Sequence, residues 1–184
     1  MRERIFRFLV LCGVAGLSGC ADPISVAPEK SVGILSFRYE SASPDFNGSF
    51  AARGFPRLQG QSGPWAGGVA RGTSQTEIHA VAGDPTPGGV FITVKDLVTG
   101  TAHLDPECTS SCNRMVITLS DVGAGRETYA CEMSEGVLAI RLRTKNRVRG
   151  NFSGTGTCWS SATAERPAIR VTDGMFDVGL LRED

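Results

Sequence analysis

The chain has 184 residues, 19 basic and 19 acidic side chains, and 41% hydrophobic residues. The balanced charge excludes a global pull toward nucleic acid or an anionic membrane, and the apolar fraction excludes a wholly disordered chain. Six cysteines against two histidines point to an oxidising compartment and leave little room for histidine-based metal or acid–base chemistry.

At the start, Arg2, Arg4 and Arg7 precede a short apolar run from Phe8 to Gly16, followed by Leu17-Ser18-Gly19-Cys20. This is the layout of a secretory signal. The run falls short of the roughly 20 residues needed to span a bilayer, so it reads as a cleaved leader rather than an anchor. The last four residues resemble the lipobox of bacterial lipoproteins: Leu, a small residue, Gly or Ala, then Cys. The resemblance implies loss of residues 1–19, diacylglycerol on the Cys20 sulfur and acylation of the new amine. Two or three acyl chains anchor a protein stably where one does not. In enteric bacteria an Asp directly after the lipidated Cys retains the protein in the inner membrane. Here that position is Ala21, with Asp22 next, so the resemblance favours the outer membrane.

Residues 20–31 carry Pro23 and Pro28 without apolar periodicity and read as a tether. Residues 32–184 read as one domain. Removal of Arg2, Arg4, Arg7 and Glu3 leaves 16 basic and 18 acidic residues, a formal charge of −2.

Within the domain, apolar residues alternate in short runs separated by Gly, Pro, Asn and Asp, the pattern of an antiparallel all-β fold. The runs predict strands at 33–39, 48–53, 65–71, 75–82, 89–98, 114–120, 128–133, 137–143, 147–154 and 168–172 with 175–180. A Gly-x-Phe motif recurs at Gly48, Gly150 and Gly174, too unevenly spaced to mark a repeat.

Three turn signals fix an expected register in the C-terminal half, because residues directly opposite share a face. Glu135-Gly136 as a two-residue turn pairs Met133 with Leu138, Cys131 with Ile140 and Tyr129 with Leu142. A loop at Thr144-Lys145-Asn146, with Asn146 left-handed, pairs Leu142 with Val148, Ile140 with Gly150 and Leu138 with Phe152. Asp173-Gly174 as a hairpin turn pairs Val171 with Phe176 and Ile169 with Val178.

Cys12 leaves with the leader and Cys20 takes lipid, so Cys108, Cys112, Cys131 and Cys158 remain. They allow three pairings, of which Cys108–Cys112 within a polar loop and Cys131–Cys158 across strands are favoured. A four-Cys zinc site is disfavoured by the 27-residue gap between Cys131 and Cys158.

Arg141, Arg143, Lys145, Arg147 and Arg149 occupy every second position. The expected register sets Arg141 opposite Arg149 and Arg143 opposite Arg147, and like charges so placed destabilise a sheet. Water and neighbouring acids, or an anionic partner, must offset this, so the row is the candidate anion-binding site. Trp65, among Gly and Pro residues, is the candidate contact for a sugar or protein.

Catalytic signals are poor. His79 and His103 are isolated, and no nucleophile elbow, phosphate loop or zinc-protease helix occurs. A glycosidase carboxylate pair forms in space rather than in sequence and stays open as an alternative.

The expected fold is a single antiparallel β-sandwich of eight to ten strands, with a closed antiparallel barrel as the alternative. In overall texture the mature domain resembles small β-rich bacterial lipoproteins. The expected role is a lipid-anchored, non-enzymatic envelope module for a glycan, an anionic polymer or a protein, attached through Cys20, with no cofactor, metal or nucleic acid. The alternative is a small envelope hydrolase.

Overall fold

A computed structural model of the chain describes residues 32–56, 64–71, 75–82, 88–95, 98–105, 107, 112–123 and 125–183. The leader, Cys20, the tether and Cys108 lie outside the described residues. The strands are β1 (Gly33–Glu40), β2 (Gly48–Gly54), β3 (Trp65–Arg71), β4 (Gln75–Ala82), β5 (Gly88–Lys95), β6 (Gly100–His103), β7 (Arg114–Val122), β8 (Glu127–Arg143), β9 (Arg147–Trp159) and β10 (Ala168–Glu183). A short 3-10 turn spans Pro44–Phe46. Among the described residues, no helix is long and apolar enough to cross a membrane.

The all-β sandwich reading holds. The pairing path runs β2–β1–β10–β3–β4–β5–β7–β8–β6, with β9 joining β8 to β10. Every pairing is antiparallel except the run of Leu180–Glu183 on β10 against Gly68–Arg71 on β3. β10 therefore has β9 along one edge and β1, then β3, along the other. The sheet folds over on itself around a single core. Across that core, a Cβ at Gly154 on β9 would lie 3.3 Å from Met115 Cε on β7, and one at Gly88 on β5 would lie 3.6 Å from Phe50 Cε2 on β2.

Alternation of buried and exposed residues, interrupted where the strands bulge, drives the long strands. On β9, Val148, Phe152 and Cys158 are buried while Arg149, Asn151, Ser153, Thr155, Thr157 and Trp159 face out. Burying one such aromatic contributes roughly 2–3 kcal/mol. An aromatic file crosses the core. Phe50 stacks on Phe37 at 5.0 Å, Phe37 meets Phe152 at 5.9 Å, and Phe152 meets Phe176 at 6.3 Å. The Gly-x-Phe motifs of β9 and β10 interlock here. Phe176 lies opposite Gly150, and Phe152 lies opposite Gly174. A Cβ would approach the facing ring to 2.5 Å at Gly150 and 2.6 Å at Gly174, so each glycine makes room for the other motif's phenylalanine.

Two of the three expected turns are not turns. β8 runs straight through Glu135-Gly136, and β10 runs straight through Asp173-Gly174. Each signal becomes a β-bulge: the register shifts between Met133 and Glu135 on β8, and between Val171 and Gly174 on β10. Asp173 takes the left-handed conformation at φ 51°, which serves a bulge as well as a hairpin. The deciding factor is β9. It is long enough to pair with both halves of β8 and of β10, so continuous strands keep one inner face buried throughout. Cys131 consequently pairs with Cys158, not Ile140, and Val171 pairs with Gly154, not Phe176.

The third turn is real. Thr144 N–H donates to Arg147 O at 2.9 Å, and Leu138 with Phe152 and Ile140 with Gly150 pair as expected. A further irregularity after Ile140 then sets Leu142 opposite Arg149 and Arg143 opposite Val148, and Asn146 does not take positive φ. The run expected at 89–98 gives a strand only to Lys95, and β6, a short polar edge strand with no alternation to betray it, was not expected.

Candidate functional site

The disulfide Cys131–Cys158 forms across β8 and β9 with both residues fully buried. Cys112 is disulfide-bonded as well; Cys108, its expected partner, is outside the described residues.

The basic row is not a row of facing like charges. Because of the bulge after Ile140, Arg141 does not oppose Arg149, nor does Arg143 oppose Arg147. Arg147 and Arg149 turn instead to β10 and share Asp177. Arg147 Nε lies 2.5 Å from Oδ1, and Arg149 reaches Oδ2 through Nε at 2.8 Å and a terminal nitrogen at 2.7 Å. Burial pushes the Asp177 carboxyl up. The hydrogen bonds and charges of Arg147 and Arg149 outweigh it and hold the group below its ordinary value. Arg143 donates to the carbonyl of Thr144. Arg141 and Lys145 are exposed.

Trp65 is not an exposed contact. It is 8% exposed on β3, stacked on the His79 ring at 6.0 Å, and Phe91 meets that ring edge-on at 4.6 Å. The residue opens β3, as the run at 65–71 predicts, but its Gly and Pro neighbours do not leave it exposed. The imidazole is not isolated, since Nε2 lies 3.2 Å from Glu77 Oε2, and Gln75 donates to Glu77 Oε1 at 3.4 Å. The polar groups of this largely buried cluster are thus mutually satisfied. Trp159, next to Cys158 on β9, faces out at 38% exposure.

The feature that sequence reasoning missed lies on the outer face of β8, β9, β10 and β1. Two open clefts share Thr155 and Arg170. The larger, of about 530 Å³, is lined also by Glu40, Ser134 and Thr157; the smaller, of about 250 Å³, by Glu135, Ser153 and Thr172. Both bulges border the clefts: the one on β8 places Ser134 and Glu135 at the rim, and the one on β10 lies beside Thr172. The register assembles one cross-strand row, Glu135–Thr155–Arg170–Glu40, over four neighbouring strands. Opposite residues share a face, so all four project outward. Glu132, further along β8, is held by Arg114 at 2.6 Å. The available signal was the polar alternation of β9 from Asn151 to Trp159, hidden because the strand was expected to end at 154.

Among the described residues, no group of three or more His, Cys, Asp or Glu is placed to hold a metal ion. No protein-family model matches the chain, and neither a curated protein nor a solved structure matches it.

Proposed function

We propose that this chain is a lipid-anchored bacterial envelope module, favouring the outer membrane, that binds an envelope glycan through the cleft on the outer face of β8–β9–β10–β1. The anchor rests on Leu17-Ser18-Gly19-Cys20. The single observation that carries the binding reading is the Glu135–Thr155–Arg170–Glu40 row with its flanking hydroxyls. Sugar hydroxyls donate to carboxylates and accept from guanidinium and hydroxyl groups, and that mixture is what the row offers. Trp159 projects from the same face of β9, four residues from Thr155, or about 13 Å along the strand. An exposed indole at that distance gives a sugar ring a surface to stack on. With two carboxylates and one arginine, the row suits a neutral glycan better than a polyanion.

The hydrolase alternative is weighed by spacing. Glu135 and Glu40 stand three strand spacings apart, about 14 Å between backbones. Glycosidase carboxyl groups stand roughly 5–9.5 Å apart. Arg170 and Thr155 also occupy the positions between them, which favours binding over hydrolysis.

Titration of the purified protein with fractionated envelope polysaccharides tests the reading. Trp159→Ala and Arg170→Ala are each expected to weaken binding about tenfold, the cost of a central contact. Absence of glycan binding by the native protein, or variants that bind as the native protein does, would overturn it. Crosslinking in native envelopes that captures one dominant protein through the same face would replace it with an accessory role.

A further inference from the structure

We propose that the end of the domain where the tether joins β1 docks on the anionic headgroup surface of the bilayer that carries the chain's own lipid. The inference rests on the anchored reading of Cys20 and adds an orientation to it. Gly33 opens β1, and Cys20 lies thirteen positions before it. Thirteen residues reach at most about 45 Å, so a lipid on Cys20 keeps this end within that distance of the bilayer.

The residues gathered there fit such a surface. One cross-strand row reads Arg53–Ile34–Asp177–Arg149–Leu142 over β2, β1, β10, β9 and β8. Ile34 and Leu142 are each 37% exposed. Arg147 lies beside the row on β9, and exposed Arg141 near the end of β8 and Lys145 in the β8–β9 loop adjoin it. Asp177 is the one carboxylate in the row, and it is shared by Arg147 and Arg149, so the end stays basic. Exposed aliphatic side chains between guanidinium groups suit the interface between headgroups and acyl chains. A basic segment beside an acyl anchor is also the second signal that strengthens attachment to an anionic leaflet. The glycan cleft at the opposite end of the same strands then faces away from the bilayer.

The test uses the mature lipidated protein in vesicles of phosphatidylcholine alone or with phosphatidylglycerol, read by amide hydrogen exchange over 141–149. Docking predicts slower exchange of this segment only in the phosphatidylglycerol vesicles, reversed by high salt. Arg141→Glu and Lys145→Glu should each weaken docking about fivefold or more, the factor expected for one basic side chain at an anionic leaflet. Equal exchange in both vesicles, with lipid present on Cys20 by intact mass, overturns the docking and leaves the anchor standing. A mass without lipid retires the anchor instead. Slowing by a soluble polyanion but not by phosphatidylglycerol overturns the bilayer assignment in favour of a polymer.

Discussion

The two ends of the β8–β9–β10 layer are built from the same residue types with opposite balance. At the tether end, two arginines, Arg147 and Arg149, share one carboxylate, Asp177. At the far end, one arginine, Arg170, stands in a row with two carboxylates, Glu135 and Glu40. The first end carries one bulge, after Ile140, and its strands are joined by the tight loop at Thr144. The second is broken by two bulges and hollowed into clefts. The character of a surface in a sheet is therefore set across strands, by what lies opposite, more than along the chain. The five basic residues at alternate positions looked like one site, yet two of them are held by a carboxylate 28 to 30 residues away.

The largest effect is expected where both ends hang on a common support. Phe176 seats over Gly150 and packs on Phe152 midway between them. Phe176→Ala should lower stability by about 3–5 kcal/mol in urea unfolding and loosen both ends together. A loss confined to one end would break the comparison.

The disulfide comes next, because it lies below the far end only. In the chain-entropy model, closing a loop of the 27-residue separation between Cys131 and Cys158 is worth about 3.5 kcal/mol. Replacing both by Ala should cost about that much and reduce glycan binding, while the tether end keeps its exchange pattern. Cys112→Ser, in a loop, should shift the melting temperature less. Equal or reversed shifts would count against this ranking.

Asp177→Asn tests the tether end and should cost about 1–2 kcal/mol, the scale of charge-assisted hydrogen bonds at a partly exposed site. Its carboxyl pKa is lowered in the folded state. The stability it contributes is therefore complete above the ordinary carboxylate pKa and is lost as pH falls through the lowered value. Unfolding measured across that acid window should show a shallower decline in the Asn variant than in the native protein. Parallel declines would show that the two arginines do not stabilise the ionised form.

Much of the fold was legible because alternation is a local property of the chain. The all-β class, nine of the strand positions and the Cys131–Cys158 pairing follow from it. The failures share one physical cause. Asp173-Gly174 and Glu135-Gly136 state that the backbone needs a special conformation, but not whether the chain reverses there. That depends on β9, a partner distant in sequence, being long enough to pair past the break. The cleft was illegible for the same reason, since Glu135, Thr155, Arg170 and Glu40 meet only through two bulged registers and the β1–β10 pairing. Trp65 opens its strand as expected but is not an exposed contact, because its burial is set by His79 one strand away and not by its Gly and Pro neighbours.

The anchored reading and the orientation built on it both rest on Cys20, whose chemistry can be read directly. Mass spectrometry of the N-terminal peptide from protein extracted from native membranes should find Cys20 as the first residue, carrying diacylglycerol on sulfur and an acyl chain on the amine. A chain that retains residues 1–19, or one that begins elsewhere with no lipid on Cys20, would contradict the account.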